Sequence, residues 1–105
     1  MRKLAACALS LIVLGSSALV FAKGSYNDVP ADDKQFMDCI VYSKKNYTGG
    51  DEPSPIPGQS KAVAYCECLW NETSDDFRGN LAKFAETDKG KRIDKLCSKY
   101  ANWQD

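Results

Sequence analysis

Apolar positions fall into two regimes along the chain. From Leu4 to Phe21 they form a nearly continuous run without a charge, preceded by Arg2 and Lys3. From Phe36 onward they recur three and four residues apart among polar neighbours. Two basic residues, an apolar core and a small residue make the layout of a secretory leader. Val20 and Ala22 supply the small-x-small pattern, which places cleavage between Ala22 and Lys23. The run of about 18 residues borders on membrane-spanning length, so a retained anchor competes with this reading. Gly15-Ser16-Ser17 is weakly apolar and suits a cleavable segment better. Leu4-Ala5-Ala6-Cys7 resembles a lipoprotein box, but it precedes the apolar core instead of closing it, so Cys7 is assigned to the discarded leader. Residues 1–22 are therefore expected to be a cleaved signal peptide, and 23–105 a single domain in the periplasm or outside the cell.

In the second regime the spacing predicts four helices. Residues 23–29 are polar and expected to fray. Asp28 and Pro30 suit a helix start, and Asp32 and Asp33 sit near its positive dipole end. Phe36, Cys39, Ile40, Ser43 and Tyr47 then form a stripe over about 30–46. Gly49-Gly50 stops the helix. Residues 48–59 carry prolines at 53, 55 and 57 and are expected to follow an extended, polyproline-like path. Ser60 caps a second helix over about 61–72, whose apolar residues cover more than one face and so suit a central position. Ser74 is expected to start a third helix over about 75–86, with Phe77, Leu81, Phe84 and Ala85 inward. Thr87 is expected to start a fourth over about 88–101, with Ile93, Leu96, Cys97 and Tyr100 inward and Trp103 beyond. No segment alternates with period two. The fold class is all-α: a small antiparallel bundle of about four helices.

Cysteine usage sharpens this picture. Without Cys7, the remaining cysteines are Cys39, Cys66, Cys68 and Cys97, an even set in a short exported chain, and hence a disulfide framework. Side chains two apart on a helix diverge by about 200°, so Cys66 and Cys68 do not bond each other. Each instead pairs with Cys39 or Cys97. Of the two arrangements left, Cys39–Cys68 with Cys66–Cys97 is preferred, because Cys66 shares a face with Ala62 and Leu69. A four-cysteine zinc site is the rival, but structural zinc favours a two-residue gap between cysteines, and an oxidising compartment disfavours free thiolates.

Charge and chemistry narrow the function. The chain has 14 basic and 14 acidic residues, and losing Arg2 and Lys3 with the leader leaves a net charge of −2. Nucleic acid needs a basic excess and is not expected as a partner. The chain has no histidine, which removes the commonest general base and most catalytic zinc sites. The pairs Asp32/Asp33 and Asp75/Asp76 are explained by capping and the helix dipole. No catalytic residue, cofactor or metal ligand is assigned, no enzyme activity is expected, and no stable membrane insertion is expected once the leader is gone. Lys91, Arg92, Lys95 and Lys99 give the last helix a solvated basic face.

The expected partner is another protein. Candidate contacts are Asp51, Glu52 and Ile56 on the Pro-stiffened loop, where prolines reduce the entropy lost on binding, and Trp103 near the C-terminus. Tyr42, Tyr65 and Trp70 are further aromatic anchors or core residues. With its four cysteines and the helical stripes around them, the chain resembles the small periplasmic immunity proteins that protect bacteria from type VI secretion amidases. The resemblance covers most of the mature chain at the level of architecture, without a diagnostic motif. It implies a non-catalytic protein that binds and blocks an enzyme in the periplasm. In size, helicity and disulfide use the chain is also similar to the acid-activated helical chaperones of the periplasm, which implies an alternative role in acid stress.

Overall fold

The computed structural model describes residues 26–104. The leader, its cleavage point and Cys7 lie outside the described residues. The chain forms four helices: α1 Lys34–Asn46, α2 Lys61–Glu72, α3 Leu81–Ala85 and α4 Lys91–Tyr100. There is no strand among the described residues beyond an isolated bridge between Pro53 and Ser60, and no helix of the described residues is long and apolar enough to cross a membrane. The fold is all-α, as the spacing predicts.

α2 is the central helix. It packs against α1, α3 and α4, and Ala62, Ala64, Tyr65, Cys66, Cys68 and Leu69 are all buried. Ser60 accepts a hydrogen bond from the Val63 amide at 3.3 Å and sets its start, as expected. The cysteines fasten it on both sides, but the pairing is Cys39–Cys66 and Cys68–Cys97, with Cα separations of 5.9 and 5.4 Å. This corrects the preferred arrangement. The Ala62–Cys66–Leu69 face exists, but its neighbour is α1: Ser43 Oγ lies 3.7 Å from Cys66 Sγ, one turn beyond Cys39. The opposite face, with Tyr65 and Cys68, meets α4. Loop closures of 27 and 29 residues are each worth about 3–4 kcal/mol in lost unfolded-state entropy.

Three helices begin later than the spacing predicts, each for a local reason. Pro30–Asp33 closes a turn through the Asp33 amide and the Pro30 carbonyl at 3.0 Å. Asp33, not Asp28, then caps α1 by accepting from the Phe36 amide. At Ser74 the hydroxyl bonds the Asp76 carboxylate instead of a backbone amide, so residues 75–80 stay irregular. Asn80 caps a much shorter α3. Thr87 donates to the Phe84 carbonyl and accepts from the Gly90 amide, which closes a turn and delays α4 to Lys91. Gly90 is required there, because a Cβ would fall 2.1 Å from the Phe84 carbonyl oxygen. The third stripe still faces inward: Leu81 and Ala85 are buried, and Phe77 stacks on Phe84 with centroids 4.8 Å apart. Leu96, expected inside, is 39% exposed.

The Pro-rich segment is not extended. It doubles back so that the Ser54 amide reaches the Gln59 carbonyl and the Lys61 amide reaches the Glu52 carbonyl at 2.8 Å. Gly58, at φ +79°, makes the return. Ile56 closes the loop from within, at 3% exposed. Residues 26–29, expected to fray, are tied down instead. Tyr26 packs edge-on against Tyr100 and donates to Glu72, while Asn27 and Asn71 exchange hydrogen bonds.

Candidate functional site

The C-terminus of α4 builds the most chemically distinctive surface. Asn102 takes a left-handed conformation, φ 52°. Its amide then bonds the Lys99 carbonyl at 3.1 Å, and the next amide, of Trp103, bonds Ser98 at 2.8 Å. This is the paired closing pattern of a Schellman end, and it folds Trp103 back over the bundle. The indole Nε1 donates to the Thr48 carbonyl at 2.7 Å.

Trp103 lands between two tyrosines. Its ring centroid is 5.8 Å from Tyr47 and 5.6 Å from Tyr65, with ring planes at 80° and 88°. Such edge-to-face contacts hold ring orientation as well as burying area. Beside the rings opens a cleft of about 340 Å3 lined by Tyr47, Tyr65, Trp103, Glu86, Asp94 and Lys95, with Ser98 and Gln104 completing it. Tyr65 donates to Asp94 on α4. Tyr47 donates to Glu86 beyond α3, and Tyr42 reaches the same carboxylate at 3.1 Å.

Burial, and then hydrogen bonding to carboxylates, pushes the Tyr47 and Tyr65 phenols well above the ordinary phenol range. They stay neutral donors to the Glu86 and Asp94 carboxylates. The cleft thus offers aromatic faces and edges under two anions, an arrangement suited to a cation. Among the described residues no group of three or more His, Cys, Asp or Glu is placed to hold a metal ion.

The four sequence candidates part company. Trp103 is at the centre of this cleft. Asp51 is exposed and pairs with Lys44 at 2.8 Å, Glu52 pairs with Lys61 at 3.1 Å, and neither lines the cleft. Ile56 is a core residue, because the loop closes over it. Trp70 lines a separate cleft with Asp33 and Arg78. The basic residues of α4 are exposed, with Lys95 on the cleft rim. Sequence reasoning missed Glu86 and Asp94 as site residues. Asp94 lies next to Ile93 on the amphipathic α4, and Glu86 reads as an ordinary surface acid, so neither carries a signal of its own.

Comparison with known proteins finds no matching family model, no matching curated protein and no matching solved structure.

Proposed function

We propose that this chain is a small exported, non-catalytic binding protein of the inhibitor or immunity type, which docks on a partner enzyme in the periplasm and blocks it. One observation carries the reading: the cleft of Tyr47, Tyr65 and Trp103 under Glu86 and Asp94 is organised before any partner arrives. Its side chains come from the C-terminal end of α1, from α2, from α4 and the turn that follows it, and from the turn after α3, and hydrogen bonds between elements hold them. Two buried disulfides in turn fasten α1 and α4 to α2. A surface that is already ordered gives up little entropy on association, and Trp and Tyr dominate binding hot spots. The disulfides also suit an oxidising compartment.

The test uses the full chain, expressed with its own leader and recovered as bait from the periplasm. The expected result is capture of one enzyme whose activity falls when equimolar chain is added. Recovery of no enzyme that the chain inhibits would overturn the proposal. Many unrelated clients held only at acidic pH would do the same and would favour the chaperone-like alternative.

A further inference from the structure

We infer that the cleft between Trp103, Glu86 and Asp94 receives the guanidinium of an arginine side chain projected by the partner protein. The inference rests on the binding reading above and names what that binding recognises. Three observations converge on it.

First, neither carboxylate is engaged in an ion pair among the described residues. The ion pairs among the described residues are Lys34–Asp38, Lys44–Asp51 and Lys61–Glu52. Glu86 and Asp94 are instead met by the phenols of Tyr42, Tyr47 and Tyr65. A neutral phenol supplies a hydrogen bond but leaves the charge uncompensated, and a carboxylate has acceptor sites to spare. Second, the walls are aromatic: the Trp103 indole is fixed by its bond to Thr48 and held edge-to-face by Tyr47 and Tyr65. Third, about 340 Å3 is at the small end of ligand pockets, which run from about 300 to 1,000 Å3. It suits one side chain better than a larger ligand.

Planarity decides between the two common cations. A guanidinium stacks on an aromatic ring while its fork bonds a carboxylate, whereas an ammonium is a strongly hydrated point charge. Two cations stand nearby: Lys83 Nζ sits 5.7 Å from the Tyr42 centroid and does not line the cleft, and Lys95 stands exposed on the rim. Lys95 opposes an incoming cation, so its removal should tighten binding.

The test titrates the full chain with Nα-acetyl-arginine amide and follows the Trp103 indole N–H by NMR. The second tryptophan, Trp70, serves as internal control. A dissociation constant on the order of millimolar is expected for a probe of this size. The neutral isostere Nα-acetyl-citrulline amide should bind at least about tenfold more weakly. Glu86→Gln with Asp94→Asn should weaken the arginine probe by about tenfold, and Lys95→Gln should strengthen it severalfold. Equal response to both probes, no saturable shift at Trp103, or an unchanged constant in the double variant would each overturn the inference. Tighter binding of free arginine than of the capped probe would also overturn it, pointing to a small-molecule ligand. The two proposals fail separately. If the double variant still captures and inhibits the partner enzyme, the arginine inference falls and the inhibitor reading stands. If the probe binds but no inhibited enzyme exists, the reverse holds.

Discussion

Every tyrosine in the chain gives its hydroxyl proton to a carboxylate on another element or a distant stretch of chain. Tyr26 bonds Glu72, Tyr42 and Tyr47 bond Glu86, Tyr65 bonds Asp94 and Tyr100 bonds Glu67. All five phenols are consequently shifted upward, through burial first and then through their carboxylate partners, with Tyr100 pushed up to about 12. An unfolded tyrosine ionises near pH 10. A phenol whose folded value lies higher stabilises the fold fully below about pH 10, and that contribution is lost as pH rises through the folded value. The chain should therefore hold its stability to about pH 10 and lose it above, with its phenols ionising together with unfolding. Absorbance of phenolate near 295 nm, read beside helical circular dichroism, checks this. Five independent titrations near pH 10 in a still-folded chain would contradict it. None of these bonds was legible in the sequence, because a tyrosine thirty or forty residues from its acid leaves no periodic trace. What the spacing did give was the inward placement of Cys39, Ser43, Leu69, Leu81 and Cys97, where burial recurs with the helical turn.

At the level of elements, caps decided where the sequence could be read. Ser60 has no nearby competitor for its hydroxyl, and α2 begins where it predicts. Ser74 has Asp76 two residues on, and Thr87 has the Phe84 carbonyl, so both hydroxyls are spent on turns and their helices shrink. The Pro-rich segment was correctly excluded from helix, yet its doubling back follows from Ser54 bonding Gln59 and from Ile56 seeking the core. Proline content alone carries neither. The end of α4 matters most for the cleft, since Asn102 aims Trp103. Asn102→Val forces a β-branched residue into the left-handed region, at a cost of about 1–2 kcal/mol. The expected outcome is a lower melting temperature and a red-shifted tryptophan emission as Trp103 leaves the cleft. Asn102→Gly should retain both wild-type values, since glycine takes that conformation freely.

The molecule as a whole is organised by two bridges that leave one helix in opposite directions. Digestion of the unreduced chain after glutamate separates Cys66 from Cys68, because Glu67 lies between them. The expected products link Cys39 to Cys66 and Cys68 to Cys97. A peptide joining Cys39 to Cys68 would refute the architecture. Trypsin cannot make the distinction, since no Lys or Arg falls between Lys61 and Arg78. Each bridge contributes about 3–4 kcal/mol, against a total of about 5–15 kcal/mol for a domain of ordinary stability. Reduction of both is expected to unfold the chain at room temperature, measured as loss of helical circular dichroism.

With its bridges closed, the backbone is a figure of eight whose two rings meet at Glu67. Pulling on the ends of such a chain, even fully denatured, cannot draw it out as a single thread, because spans of 27 and 29 residues are short-circuited by sulfur. A narrow translocation channel or an unfoldase pore would stall at the first ring. The order of events in the life of the chain is thereby set: passage through any such pore comes before the first bridge closes, and degradation by a threading protease waits until a reductant reopens both.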